Sequence, residues 1–343
     1  DTDWYKTNTT ATEYVLTKEE ELAGLGQLVA EGKTFEGKTI KLGADMNLGA
    51  NAGHVFLPIG YDESNPSYLG AFKGIFDGDN HVVRDLYQNT WNITGNYDGN
   101  YYKLSMGLFG LIEGGTVENL IIYRFKMEGE FTPMGCVAGR AKGGNFENIW
   151  LYECHPATYN TGVGGIIGWD ESDGAAYTFN NITIDSSNTI SALWGTYDAV
   201  CGGIMGYLSE SSTFTNCEIG AVMDVYNDVC GNYQYYEYRY CGMLVGTVGD
   251  DGTPDSSVIT CNSCNVYLGN WRNNYYCEFE KNSQASYTDD YQFSRVPLSE
   301  LVIENGKVVG CNKEIHQHTA KEDKQAVYLP FSQLYTGYGW GAN

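Results

Sequence analysis

Five short runs that open and close on glycine recur along the chain: "GLFG" ending at Gly110, "GCVAG" at Gly139, "GGIIG" at Gly168, "GGIMG" at Gly206 and "GMLVG" at Gly246. The intervals are 29, 29, 38 and 40 residues. A second motif follows each run: "TVENLII", "NFENIWL", "TFNNITI", "TFTNCEI" and a looser "TCNSCNV". In these, Asn119, Asn148, Asn181 and Asn216 align, with Ser263 in the fifth place, at gaps of 9, 9, 13, 10 and 17 residues from the preceding glycine. The two motifs are therefore one unit, and insertions of variable length separate the units. A unit of short β-rich runs cannot bury its apolar face alone; stacked copies bury a continuous core and place like residues above one another. Glycine permits corners where φ is positive or backbones approach closely. Stacked asparagines can bond along the stack as an inward-facing ladder. Helical periodicity is nearly absent after residue 35, so the expected fold is all-β, a parallel β-helix or a close β-solenoid. "GGIIG" lacks G-x-x-x-x-G-K-[ST] and precedes no helix, which excludes a phosphate loop.

The G-L-F-G and G-G-I-x-G runs, with T-[VF]-x-N-hydrophobic after them, resemble the GLUG-motif repeat of secreted and surface bacterial proteins. "LTKEEELAGLGQLVAEGKTFEGKTIKLGADMNL" resembles the helix-then-strand entry of that family. "FLPIGYDESNPSYLGAFKGIFDGDNHVVRDLYQ" resembles its W/F-x-P-I-G…F-x-G-x-F-D-G-x-x-H signature. The likeness spans about residues 13 to 268. It implies a right-handed parallel β-helix in a surface-exposed, adhesin-like and non-enzymatic role, and it transfers no catalytic residue. The Tyr-rich insertion between Cys230 and Cys241 and the tail after about Tyr287 lie outside the pattern.

Three regions follow. Residues 1–35 form an N-terminal cap. Thr17-Lys-Glu-Glu20 reads as a capping box before Leu22, Leu25, Leu28 and Val29, a short helix that closes the end of the stack. Residues 36–286 carry the repeats. Residues 287–343 hold a hairpin, "LVIENGKVVG" about Asn305-Gly306, then a polar linker and an aromatic strand.

Formal net charge is −23, and no basic cluster occurs, which argues against a nucleic-acid partner. No apolar run reaches the length of a membrane span, so membrane insertion is not expected. The first residues have neither a basic n-region nor an apolar h-region, so any leader is expected to have been removed. The ten cysteines, an even number, suit an oxidising, extracellular compartment. Repeat alignment sets Cys201 above Cys241 and Cys217 above Cys264, two candidate disulfides; the other reading is a column of buried thiols. Cys261-x-x-Cys264 has no second pair at zinc spacing. Sequons stand at Asn8, Asn92 and Asn181. Asn8 and Asn92 lie in polar contexts and are candidate glycosylation sites; Asn181 is a ladder position and is expected to stay unmodified.

Carboxylate pairs occur at Asp77/Asp79, Asp170/Glu171/Asp173, Asp250/Asp251 and Asp289/Asp290. A pectin-type hydrolase would need Gly-His-Gly and Arg-x-Lys elements beside its acids, and a lyase a basic residue. Only Arg239 is basic between Asn145 and Ser256. Paired acids alone can still hydrolyse glycosides. Asp77-Gly78-Asp79-Asn80 resembles the start of a calcium loop without its terminal Glu, and reads better as an Asx turn, with His81 in a structural role. His316 and His318 could hold a metal, but no further ligand spacing supports it. No catalytic, cofactor-binding or metal residue is assigned.

The expected function is a non-enzymatic secreted surface protein, an adhesin or a self-assembling structural subunit. The alternative is a polysaccharide lyase or glycoside hydrolase on a β-helix. Tyr233, Tyr235, Tyr236, Tyr238 and Tyr240 alternate within the insertion and could stack on a carbohydrate or on another cell-surface ligand. They are expected to form a flap or strand pair leaning on the stack. The tail segment with Val327, Leu329, Phe331, Leu334, Tyr335, Tyr338 and Trp340 must bury itself, either on its own stack or as a strand donated to the next copy. Donation would build a homopolymer, head to tail, into a ring or a fibre.

Overall fold

The computed structural model describes residues 1–65, 68–94, 104–159, 161–171, 174–192, 199–228, 239–242, 244–248, 259–267, 271–277, 285–291, 295–297, 301–304 and 307–311. From residue 222 onward it describes the backbone, with side chains at 244–246, 263 and 264. The chain is mostly β, and its principal sheets are parallel.

Consecutive repeats visit four sheets in a fixed cycle. Phe109–Glu113 lies in sheet 1, Thr116–Tyr123 in sheet 2, Lys126–Glu130 in sheet 3 and Met134–Gly135 in sheet 4. Ala138–Lys142 then returns to sheet 1, and Gly144–Tyr152, His155–Tyr159 and Gly162–Gly164 take the next places. Each strand pairs in parallel with its counterpart one repeat on, as Ala138 does with Phe109 and Ile167.

In-register pairing explains why the repeats share residue types. Phe146, Phe179 and Phe214 form one inward column of sheet 2. All three are fully buried. Their rings stack at centroid distances of 5.2 and 5.0 Å, in the favourable range for aromatic pairs. Beside this column, Asn119, Asn148, Asn181, Asn216 and Ser263 all take left-handed backbone, with φ between 52° and 55°. Asparagine tolerates that region better than most residues, and it bends each sheet 2 strand at the same place. Asn148 Nδ2 donates to Asn119 Oδ1 at 2.9 Å, and Asn181 Nδ2 to Asn148 Oδ1 at 2.8 Å. The ladder exists but is half-buried, not inward. The bend turns the next residue into the core instead: Leu120, Ile149, Ile182, Cys217 and Cys264 are buried.

The glycine runs mark the corner between sheets 4 and 1. At the corner the chain also lies against the backbone of the same corner in the neighbouring repeat. A Cβ on Gly168 would stand 2.7 Å from the carbonyl oxygen of Met134 and 2.8 Å from that of Gly139. On Gly164 it would stand 2.6 Å from the oxygen of Ile204. Backbone meets backbone with no side chain between, so the requirement here is close approach and not positive φ.

The helix Glu19–Ala30 buries Leu22, Leu25, Leu28 and Val29, the expected face. Its box is one residue later than the sequence suggested. The strand Glu13–Leu16 runs up to Thr17, so Lys18 takes the cap position. Glu21, not Glu20, reaches back to the amides of Thr17 and Lys18, at 2.6 and 3.2 Å. At the other end, Trp271–Cys277 is parallel to Val222–Asp228 and antiparallel to Ala285–Tyr291. That last strand crosses the boundary expected at 286. Leu301–Glu304 and Lys307–Cys311 pair antiparallel as the expected hairpin.

Candidate functional site

Sheet 2 begins at the strand Glu13–Leu16, which pairs on one side only, with Thr39–Leu42. The core beneath it is closed. Trp4, Tyr5, Tyr14 and Phe35 pack ring against ring, and the helix Glu19–Ala30 covers the apolar interior. The strand's second edge has no ladder partner among the described residues. Val15 on its outer face is 48% exposed, and Ile75, two strands on, is 39% exposed. An unpaired parallel edge with apolar residues beside it can accept another strand.

A second cluster lies on the outer face of sheet 1, where Arg140, Trp169 and Tyr207 pair across consecutive strands. The rings of Trp169 and Tyr207 stack at 4.2 Å. Arg140 pairs with Glu171. Burial lowers the guanidinium to about 10 despite that carboxylate, and it stays charged at neutral pH. On the inner face Asp170 is buried. It accepts bonds from Ser209 N at 2.9 Å, Ser209 Oγ at 2.8 Å and the Tyr177 hydroxyl at 2.5 Å. Burial, then the charge of Asp170, pushes the Tyr177 hydroxyl well above its ordinary range. Sequence reading groups Asp170 with Glu171 and Asp173 as carboxylates and gives it no depth. The signal that locates it inside is the 29-residue interval, which aligns Asp170 with Ile112 and Ala141.

The Asp77/Asp79 pair serves the scaffold. Asp77 Oδ1 accepts from Asp79 N at 2.9 Å, the Asx turn expected there, and from Asn119 Nδ2 at 3.0 Å. The Lys41 ammonium lies 3.8 Å from Asp77 and 3.2 Å from Asp79, and the bond to Asp79 raises its pKa. A cation is thus already present between the carboxylates where a calcium ion was considered. His81 Nδ1 lies 3.0 Å from Asp45, tying the turn to the preceding loop. Among the described residues, no group of three or more His, Cys, Asp or Glu is placed to hold a metal. No helix among them is long and apolar enough to cross a membrane.

Cys217 and Cys264 are buried free thiols that immediately precede the paired strands Glu218–Ile219 and Asn265–Tyr267. Cys201 and Cys241 are register partners, as aligned, and the Cys201 thiol lies 3.4 Å from Ile190 O. Tyr240 lies in Arg239–Gly242, where its backbone pairs with Val200. Tyr233, Tyr235, Tyr236 and Tyr238 fall outside the described residues, as do His316, His318, Asp250, Asp251, Asp173 and the tail from Val327 to Trp340.

The three sequons differ in what holds the amide. Asn8 is exposed, and its bonds run through Oδ1, which accepts from Thr10 N at 3.3 Å and Thr10 Oγ1 at 3.0 Å. Asn92 is exposed but donates Nδ2 to Ala52 O at 3.1 Å. Asn181 donates within the ladder. In a glycosylating host, glycopeptide mass spectrometry should find Asn8 the most occupied, Asn92 less so and Asn181 bare. A glycan on Asn181 would contradict the ladder.

No family model and no curated protein sequence matches this chain. Among solved structures, it is similar to a protein of Bacteroides ovatus provisionally named an immunoglobulin A1 protease, at 16% identity and a TM-score of 0.47. The superposition covers 82% of this chain and 80% of that one, a likeness too loose to carry a functional argument.

Proposed function

We propose that the chain is an extracellular, surface-displayed right-handed parallel β-helix whose role is assembly or adhesion and not catalysis. The cycle through four parallel sheets supports a coil, each cycle being one rung, and parallel crossovers are right-handed almost without exception. Resemblance to GLUG-motif repeats supports the surface role. The observation that carries the assembly reading is the strand Glu13–Leu16, which ends sheet 2 with one edge unpaired among the described residues and Val15 exposed. The matching donor is the apolar tail with Val327, Leu329, Phe331, Leu334, Tyr335, Tyr338 and Trp340. Such a contact joins two different surfaces, so copies would add head to tail. Carbohydrate or another cell-surface ligand is the expected partner of an adhesive form.

Deletion of residues 326–343 tests the assembly. The truncated chain should keep its circular dichroism spectrum and stay monomeric by light scattering, while the full chain forms oligomers that grow with concentration. Full-length protein that stays monomeric at high concentration would end the proposal.

A further inference from the structure

Within Gly144–Tyr152 the buried side chains after the first turn are Phe146, Ile149 and Leu151. Alternation on either side of the Asn148 bend therefore turns Glu147, Trp150 and Tyr152 to the outer face of sheet 2, where each is half-buried. Trp150 pairs in register with Ile121 and Thr183, and Tyr152 with Tyr123. Glu147 pairs with Glu118 and Asn180. The outer face thus carries an aromatic and apolar patch on one side of the asparagine row and carboxylates and amides on the other. Successive members of each row are about 4.8 Å apart.

Aromatic residues on the other outer faces find partners within the chain. Trp169 stacks on Tyr207 at 4.2 Å, and the Tyr159 hydroxyl donates to Glu128 at 3.3 Å. On sheet 2, among the described residues, neither the Trp150 indole N–H nor the hydroxyls of Tyr123 and Tyr152 has a hydrogen-bond partner, and the rings of Trp150 and Tyr152 stack on no other ring. The Glu118 carboxylate accepts no hydrogen bond among them, and burial, then the charges of Asp77 and Glu147, raises its pKa. Glu147 accepts from Asn180 Nδ2 at 3.0 Å. Beyond the rings on the far side stand two guanidiniums: Arg84 is the register partner of Tyr123, and Arg124 lies 4.6 Å from the centre of its ring. Both reach Asp85. A polyanion laid across this face meets the two glutamates, and a polycation meets the two arginines. A protein docked here would bury charge at the centre of its interface, where charged groups are depleted. A sugar chain is neutral, presents apolar C–H faces to aromatic rings, and carries hydroxyl donors for the carboxylates.

We propose that the outer face of sheet 2 around Trp150, Tyr152 and Tyr123 binds a neutral polysaccharide, with sugar rings lying on Trp150 and Tyr152 and hydroxyls donating to Glu147 and Glu118. The inference rests on the adhesive form of the proposed function and gives that form a site. Trp150 and Glu147 are three residues apart on one strand, a separation of at most about 10 Å. That is longer than one sugar ring, so the ligand is a chain of linked sugars. The site is independent of the tyrosines between Cys230 and Cys241 and of the tail.

The test runs the full chain through non-denaturing gels cast with hydroxyethyl cellulose, xylan or galactomannan, and with polygalacturonate as the charged counterpart. At least one neutral polymer should retard the protein, and polygalacturonate should not. Trp150→Ala should weaken the retardation constant by about tenfold or more, and Trp150→Phe, which keeps a ring, by about threefold or less. Trp91→Ala, at a 51% exposed tryptophan in Thr90–Thr94, should bind as the parent does. Circular dichroism checks each fold, and Tyr152→Ala, with the same expected loss, replaces Trp150→Ala if that variant does not fold. A neutral polymer bound equally well by the folded alanine variants overturns this site and leaves the adhesive reading standing. Retardation by no polymer, or by polygalacturonate as strongly as by any neutral one, overturns the site and the carbohydrate-binding reading together. Assembly, read by light scattering without polysaccharide, is untouched by any of these results.

Discussion

Gly168→Ala is expected to destabilise the fold by about 3 kcal/mol or more, a large effect for one methyl group. The added carbon would press on the carbonyl oxygens of Met134 and Gly139, both strand backbone atoms, so no rotamer change relieves it. The proper comparison is Gly37→Ala. Gly37 has φ of 72° and nothing within 4 Å of its added Cβ, so only conformational strain of about 1 kcal/mol applies there. Denaturant unfolding of the two variants separates close approach from backbone freedom. Equal losses would show that the repeat glycines are not kept for backbone contact.

The second large effect is expected at Phe179. Its ring is fully buried, with Phe146 stacked on one side and Phe214 on the other. Truncation to alanine should cost about 4 kcal/mol, since it empties the space between two rings that cannot collapse onto each other. Phe179→Leu keeps most of the volume and should cost about 1 kcal/mol. A Phe179→Ala loss below 1 kcal/mol, read from urea midpoints, would mean that the aromatic column adds little to stability.

Those two residues also show what the sequence could reveal. Phe179 and Gly168 repeat because parallel in-register pairing sets each side chain against its counterpart in the next repeat, so their shared identity is written into the spacing. The aligned asparagines were legible for the same reason, and their common left-handed backbone explains the choice of residue. Their depth was not legible, because the bend that exposes them depends on φ, which no hydrophobicity pattern reports. The depth of Asp170 was not legible beside Glu171; only its column with Ile112 and Ala141 puts it inside. The candidate edge at Glu13–Leu16 was anticipated only as a need for a cap, since unpaired strand edges belong to the assembled sheet and not to any local run of residues.

The asparagine ladder has a consequence for direction. A side-chain amide can both give and receive a hydrogen bond, so a row made only of amides could run either way with equal satisfaction. Here the row ends at Asp77, whose carboxylate can only receive, and Asn119 Nδ2 donates to it at 3.0 Å. That one acceptor obliges Asn119 to offer its oxygen to Asn148, and Asn148 to offer its own to Asn181. One acid at the start of the row thereby sets the polarity of Asn119, Asn148 and Asn181, and their aligned dipoles reinforce one another.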